Sequence, residues 1–209
     1  MNDYVRALEA GLVVAAATET FFGLLVDATR PSALDALLRV KPRGADKGIP
    51  LVLPDEASWS TLVPSIPAPA RALATEFWPG ALSIALPALP GLDPRVTLDG
   101  SVAVRLPPPC AAAELARAFG KPLTATSANL PGEPPAVDGT QVSGALGAAV
   151  ASGALLVLPG VSPGGLPSTL VALERERARL VRAGRVPRER VAEVLARSGL
   201  RLDDPGPPG

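Results

Sequence analysis

The stretch "LVVAAATETFFGLLVDA", residues 12–28, gives the clearest indication of the fold class. Its first six residues are all apolar, which is typical of a β-strand that is buried on both faces of a sheet. The segment TETFFG at 18–23 then interrupts this pattern, and a second apolar run follows it. The stretch therefore predicts a buried strand that ends in polar side chains.

Helical and strand-like patterns alternate along the rest of the chain. Apolar periodicity with Pro or Gly at the ends predicts helices at residues 4–11, 31–40, 67–80, 110–120, 140–153 and 187–199. Short apolar runs predict strands at residues 49–54, 81–89, 101–107, 123–128, 154–160, 168–173 and 177–184. This alternation predicts the α/β class, a single domain over residues 1–200 with a twisted, mostly mixed β-sheet flanked by helices. The Pro- and Gly-rich end, residues 201–209, is expected to be a disordered tail.

The most restrictive feature of the composition is the absence of histidine from 209 residues. It excludes Ser-His-Asp and Cys-His nucleophilic systems and every metal site that uses imidazole. The single cysteine, Cys110, excludes an internal disulfide and any CxxC site, and its place at a predicted helix start favours a structural role. A Ser-Lys pair, a carboxylate base and a cation site built from oxygens stay open. A catalyst made from the remaining residues would work mostly by positioning and fixed positive charge, which directs attention to Lys and Arg.

Charge and hydropathy bear on where the chain works and on its partners. The formal net charge is zero, so bulk charge gives no indication of nucleic-acid or membrane binding. The longest apolar run is too short to cross a bilayer, and no charged-then-apolar signal segment opens the chain. A cytoplasmic protein without a membrane partner is therefore expected.

Three cations lie close together in the segment KPRGADKG, residues 41–48. Lys41, Arg43 and Lys47 could converge on a polyanion such as a triphosphate. The alternative is a solvated loop after a helix, where Lys41 is favourable beside the helix C-terminus. Neither a Walker loop nor a GxGxxG sequence is present, so spacing alone leaves both interpretations open.

Two arginines and two hydroxyl-rich segments are further candidates for a binding site. Arg105 follows the apolar run SVAV, where an unpaired charge is costly, so it requires a carboxylate or phosphate partner. The alternatives are an edge strand with Arg105 facing water, or an internal salt bridge. Arg182 in ARLVRAG shows a weaker form of the same pattern. The hydroxyls at 124–132 and 166–169 suit phosphate or carboxylate oxygens, although Ser, Asn, Pro and Gly also favour turns.

Together these segments resemble the YrdC-like family, which contains the threonylcarbamoyl-AMP synthases. The resemblance rests on the order and approximate spacing of seven segments: TETFFGLLVDA, KPRGADKG, FWPGALSIAL, SVAVRLP, PLTATSAN, GLPSTLV and LVRAG. It covers residues 3–185. Gly44 and Pro131 depart from the family pattern, in which Pro and Ser are usual at these places. The YrdC-like module of carbamoyl-transferring maturation proteins is the runner-up within the fold, but it belongs to much longer chains.

The resemblance implies an enzyme, a nucleotidyltransferase that condenses L-threonine, bicarbonate and ATP to threonylcarbamoyl-AMP and pyrophosphate. Mg²⁺ would accompany the ATP. The product would serve the N6-threonylcarbamoyladenosine modification of tRNA through downstream transfer proteins. The threonine amine and then the carbamate are the nucleophiles, so this chemistry needs neither histidine nor a reactive cysteine.

The resemblance also implies roles for individual residues. The catalytic cations, which contact the ATP phosphates, are Lys41 and Arg43. The other residues implied to bind ATP are Ser101, Ser127 and Arg182. The residues implied to bind L-threonine are Thr18, Arg105, Ala125 and Ser168.

Three alternatives to the synthase stay open. They are a non-catalytic protein of this family that binds double-stranded RNA or tRNA, a paralogue with an altered carbamoylation substrate, and a protein that binds ATP without turning it over. RNA binding would need a basic concave face, and a neutral chain with few aromatic residues offers little material for stacking. Pyrophosphate release that requires threonine and bicarbonate would favour the synthase.

Overall fold

A computed structural model describes residues 1–42, 48–174 and 177–203 of the chain. The helices within these ranges are α1 Asn2–Glu9, α2 Pro31–Val40, α3 Ala68–Phe77, α4 Ala111–Phe119, α5 Gly139–Ala145, α6 Gly147–Ala151 and α7 Arg188–Arg197. Two short 3-10 helices lie at Ala57–Thr61 and Pro94–Val96. None of the described helices is long and apolar enough to cross a lipid bilayer.

The strands of the described ranges form two mixed sheets. They are β1 Val13–Ala17, β2 Phe22–Leu25, β3 Leu51–Val52, β4 Leu82–Pro87, β5 Thr97–Leu98, β6 Ser101–Arg105, β7 Leu123–Thr124, β8 Thr126–Ser127, β9 Leu155–Val157, β10 Thr169–Glu174, β11 Arg177–Arg182 and β12 Leu202–Asp203. The smaller sheet has the order β8-β2-β1-β9, and the larger one β12-β11-β10-β4-β6-β3-β7 with β5 paired to β6. In the larger sheet β4 is parallel to β10 and antiparallel to β6. The predicted α/β class with mixed strand directions is confirmed.

The strands divide into two sheets, where the sequence predicts a mixed sheet, because the segment 123–127 changes its pairing partner in the middle. Its first half, β7, is antiparallel to β3 in the larger sheet. Its second half, β8, is antiparallel to β2 in the smaller sheet. Between the two halves, the Ala125 amide donates to the Pro50 carbonyl at 2.8 Å. We call residues 123–127 the sheet junction, since they join the two sheets.

β1 is buried on both faces, as its apolar run predicts. Val13, Ala15 and Ala17 belong to the larger hydrophobic cluster of the protein, and Val14 and Ala16 to a smaller cluster that includes residues of α1 and α4. Helices α1, α2 and α4 all contact this strand. Packing on both faces therefore fixes the place where β1 ends and the polar side chains begin.

Two element boundaries differ from the sequence prediction. The helix predicted over 140–153 is divided into α5 and α6 at Leu146, whose φ of −122° and ψ of 29° are not helical. The tail expected to be disordered from residue 201 starts instead with β12, which runs parallel to β11. Leu202 is only 5% exposed, and burial of this side chain favours an ordered strand there. Residues 204–209 lie outside the described residues.

The packing of the larger sheet can be tested at Ile84, which is fully buried in β4. We expect Ile84→Ala to lower the free energy of unfolding by about 2–5 kcal/mol, because it removes buried methyl and methylene groups and leaves a cavity. Urea denaturation of the variant and the parent chain measures this difference. Leu166→Ala is the control, since that side chain is 60% exposed and its loss should change the free energy by less than about 0.5 kcal/mol. Equal effects of the two substitutions would contradict the prediction.

Candidate functional site

A cavity of about 750 Å³ opens beside the sheet junction. Its walls come from the turn after β1, from the sheet junction, from the end of β6, and from the segments at the start of β10 and the end of β11. Strand ends of this kind are where α/β proteins commonly bind ligands. A groove of similar volume, about 760 Å³, lies beside α2, α5 and α6 but contains none of the predicted site residues. The first cavity, which we call the junction cavity, is therefore the candidate site.

Most residues predicted to bind substrate line the junction cavity, namely Thr18, Arg105, Ala125, Ser127, Ser168 and Arg182. Lys41 does not line it but contacts the lining residue Ser127. Ser101 lies on the same face of β6 as Arg105, four residues earlier, and it lines an adjacent cavity of about 90 Å³. Arg43 lies outside the described residues. The structure thus brings the six lining residues and Lys41 close together, while their roles stay predictions.

Lys41 follows α2 directly and turns its side chain into the protein. Its backbone is extended, with φ −132° and ψ 93°, and the residue is only 7% exposed. The ammonium donates to the Ser127 carbonyl at 2.6 Å, to Ser127 Oγ at 3.2 Å and to Asn129 Oδ1 at 2.9 Å. The solvated-loop interpretation does not describe Lys41, because a buried ammonium needs such acceptors. Asn129 was not among the predicted site residues. The sequence feature that could have indicated it is a side-chain amide two residues after Ser127.

The Thr18 hydroxyl closes the turn after β1. Thr18 Oγ1 donates to the Phe21 carbonyl at 2.7 Å, and it accepts from the amides of Thr20 and Phe21 at 3.1 and 3.3 Å. Contacts between a hydroxyl and nearby backbone groups stabilise turns. Thr18 therefore shapes the cavity wall through the turn that it holds.

Arg105 ends β6 with a buried guanidinium whose charged partner is Glu19. Arg105 Nε lies 3.2 Å from Glu19 Oε1, and each side chain is 9% exposed. The contact is ionic but not aligned as a hydrogen bond, since Nε and both Glu19 oxygens lack a hydrogen-bond partner among the described residues. Of the alternatives left open for Arg105, the internal salt bridge is therefore present. Arg105 also lines the junction cavity. Glu19 was not predicted as a site residue. The sequence feature that could have indicated it is a carboxylate between two threonines at the end of a predicted strand.

Arg182 ends β11 and holds Ser168 in position. Its Nε donates to the Ser168 carbonyl at 2.9 Å, and its Nη2 donates to Ser168 Oγ at 2.8 Å. Gly184 permits this close approach of two segments, because a Cβ there would lie 2.3 Å from the Pro167 carbonyl oxygen. Ser168 is buried, and its Oγ also lies 3.1 Å from Ser83 Oγ. The Ser168 hydroxyl is therefore fixed in the cavity wall.

The junction cavity is cationic. Partial burial lowers the pKa of Arg182, and the nearby charge of Arg105 lowers it further, as expected for like charges at short range. Because the ordinary pKa of arginine is far above neutrality, the Arg182 guanidinium stays charged despite this lowering. Lys41 adds a further cation next to the wall through its contact with the lining residue Ser127, and the Glu19 carboxylate lies against Arg105. Two guanidiniums in one cavity wall favour anionic ligands. Within residues 1–42, 48–174 and 177–203, no group of three Cys, Asp or Glu side chains could hold a metal ion.

The fold and the site define a class: an α/β protein of two joined mixed sheets with a cationic cavity at their junction. A family model for the Sua5/YciO/YrdC proteins, described as telomere recombination, matches residues 6–184. The chain therefore belongs to the Sua5/YciO/YrdC family, as the order of its sequence segments predicts.

Individual relatives agree with this family. A Mycobacterium tuberculosis protein assigned as a threonylcarbamoyl-AMP synthase is 40% identical over 195 residues, which cover 91% of this chain and 87% of that protein. The threonylcarbamoyl-AMP synthase of Stenotrophomonas maltophilia is 43% identical over 140 residues, covering 65% of this chain and 75% of that enzyme. Among solved structures, P. abyssi Sua5 complexed with L-threonine matches with a TM-score of 0.83 and 26% identity. That match covers 96% of this chain but only 58% of the Sua5 chain.

The reactivity of Cys110 follows from its surroundings. Burial raises the pKa of the thiol, and the negative charge of Glu19 raises it as well. A raised pKa keeps the thiol protonated at neutral pH, so we expect iodoacetamide to alkylate Cys110 more slowly than an exposed cysteine, and faster as the pH rises. Mass spectrometry over time measures the rate, with the same chain unfolded in urea as the control. Equal rates in the folded and unfolded chains would contradict this prediction.

Proposed function

We propose that this chain is an L-threonylcarbamoyladenylate synthase, which condenses L-threonine, bicarbonate and ATP to threonylcarbamoyl-AMP and pyrophosphate. One observation carries the proposal: Arg105, Arg182 and Lys41 come from separate elements and meet around one cavity. Carboxylate, bicarbonate and phosphate groups are all anions, and a cationic cavity suits each of them. The names of the relatives, and the L-threonine in the Sua5 complex, support the same reaction.

This reaction needs no nucleophile from the protein. The amine of threonine attacks the carbon of bicarbonate, an N–C bond forms and water leaves, which produces a carbamate. A carbamate oxygen then attacks the α-phosphorus of ATP, and the bond to the pyrophosphate oxygen breaks. The protein's part is to hold the reacting groups in line and to stabilise negative charge. A sequence without histidine is compatible with this chemistry.

We assign recognition of threonine to the part of the cavity around Arg105. Its planar guanidinium can donate two parallel hydrogen bonds to a carboxylate. Ser168 offers a buried hydroxyl that Arg182 orients, and Ala125 offers backbone atoms in the cavity wall. Thr18 contributes through the turn that it closes.

We assign the ATP phosphates to Lys41 and Ser127, with Arg43 as the second catalytic cation. The Lys41 ammonium donates to oxygens of the sheet junction and its following loop, and phosphate oxygens are acceptors of the same kind. Mg²⁺ would arrive on the phosphates of ATP and neutralise part of their charge. Arg182 in the cavity wall and Ser101 in the adjacent small cavity complete the proposed ATP contacts.

We further propose that tRNA receives the product in the cytoplasm through downstream transfer proteins. The junction cavity has the volume of a small-molecule site, and a formal net charge of zero provides no general affinity for RNA phosphates. Retention of RNA that falls steeply with salt, without pyrophosphate release, would instead favour the RNA-binding alternative.

The purified chain, supplied with Mg²⁺, is expected to release pyrophosphate only when threonine, bicarbonate and ATP are all present. The reason is that the carbamate, formed from the first two substrates, is the group that attacks ATP. A pyrophosphate assay and chromatography of the nucleotide product measure this, with each substrate omitted in turn as the control. Release that does not depend on threonine would sink the proposal.

Substitutions of Arg105 and Lys41 should affect different substrates. Arg105→Ala removes a charge-assisted contact worth about 1.5–3 kcal/mol, which corresponds to a threonine requirement raised roughly 10- to 150-fold. Arg105→Lys should recover only part of this loss, because an ammonium lacks the planar pair of donors. Lys41→Ala should instead weaken ATP use and lower turnover, since the phosphate charge changes during the attack.

Saturation curves for threonine and for ATP distinguish these effects. Arg105→Ala also leaves Glu19 buried without its partner, so thermal unfolding must show that each variant is folded. Arg117→Ala, at an exposed position on α4, is the control and should leave both curves unchanged. If folded Arg105→Ala requires no more threonine than the parent chain, the carboxylate assignment is wrong.

A further inference from the structure

The Glu19–Arg105 ion pair lies between two cavities. Arg105 lines the junction cavity, whereas Glu19 lines a second cavity of about 420 Å³ together with Cys110 and Arg185. Thr18 lines both cavities. Glu19 contacts Arg105 without lining the junction cavity itself, so we expect that its carboxylate does not compete with a ligand there.

Stability alone does not explain this pair. Both side chains are 9% exposed, and burying two charges costs free energy that only good geometry and further hydrogen bonds offset. Here Arg105 Nε and both Glu19 oxygens have no hydrogen-bond partner within the described ranges. Apolar side chains of similar volume would be at least as stable in such a place. Local arrangements that cost stability are typical of functional sites.

The part of the guanidinium that Glu19 contacts indicates the class of ligand. The ion pair uses Nε, and within the described residues Nη1 and Nη2 of Arg105 make no hydrogen bond. Two terminal donors in one plane match the two oxygens of a carboxylate. Arg182 lines the same cavity as Arg105 and carries a like charge, so a nearby negative charge favours keeping the Arg105 guanidinium in the wall.

We propose that Glu19 is a positioning residue that holds Arg105 in the orientation that binds the carboxylate of an amino-acid substrate. The inference rests on the proposed function and adds the residue on which carboxylate recognition depends. Glu19 touches no substrate and acts through the guanidinium alone. Its negative charge also offsets part of the repulsion between Arg105 and Arg182.

Glu19→Gln tests this role, because it keeps the shape of the side chain and removes its charge. In titration calorimetry of the full chain, we expect L-threonine to bind about 10-fold more weakly to the variant, while ATP binds as it does to the parent chain. Glu56→Gln is the matched control. Glu56 is an exposed carboxylate outside the linings of both cavities, and its substitution should change neither titration.

L-threoninol, which lacks the carboxylate, separates positioning from a general structural effect. The parent chain should bind threonine more tightly than threoninol, and Glu19→Gln should shrink this difference by weakening threonine alone. Equal losses for both ligands would show a merely structural role and overturn the proposal.

Glu19→Asp keeps the charge but moves it away from Arg105 Nε by one methylene group. We expect its threonine affinity to lie between those of the parent chain and Glu19→Gln. If circular dichroism shows that Glu19→Gln does not fold, the threonine affinity of Glu19→Asp tests the positioning role instead. If the folded variants bind threonine as tightly as the parent chain does, the positioning role of Glu19 is overturned and the proposed function is not. A parent chain that binds no threonine overturns the proposed function together with it.

Discussion

The two-sheet architecture depends on the pairing of one short segment, residues 123–127. Its halves belong to different sheets, and the Thr124 hydroxyl stabilises the place where they meet. Thr124 Oγ1 accepts from the Val26 amide at 3.0 Å and donates to the Leu24 carbonyl at 3.1 Å. Because Thr124 is fully buried, these contacts satisfy polar groups that water cannot reach. Since the segment belongs to both sheets, Ser127 emerges beside the end of α2, and the cavity forms there.

The three cations around the cavity are held by three different kinds of partner. Lys41 donates to neutral oxygens of Ser127 and its neighbour. Arg182 uses its donors on Ser168. Arg105 has a charged partner within the described ranges, Glu19. Fixed positive charge of this kind stabilises anionic groups without transferring protons, which agrees with a sequence that contains no histidine.

Part of the site could be predicted from the sequence, and part of it could not. Arg105 was conspicuous because a charge at the end of a buried strand requires a partner. Glu19 and Asn129 were not, because a lone carboxylate or amide near a turn is ordinary turn chemistry. Their meaning depends on partners far along the chain, as with Asn129 and Lys41, which are 88 residues apart. The order of sequence segments did not predict which cavity Ser101 lines. It shares a face of β6 with Arg105 but lines a different cavity.

The sequence by itself determined most of the longer helices and strands, because apolar periodicity and Pro or Gly ends act over a few residues. It also determined the kind of chemistry, since side chains that are absent from the sequence cannot act. Only the tertiary structure decided that there are two sheets, that the chain changes partner at Ala125, and that Glu19 meets Arg105. The physical reason is that strand pairing and buried charge pairs join residues distant in sequence, so their energies depend on packing that no local pattern contains.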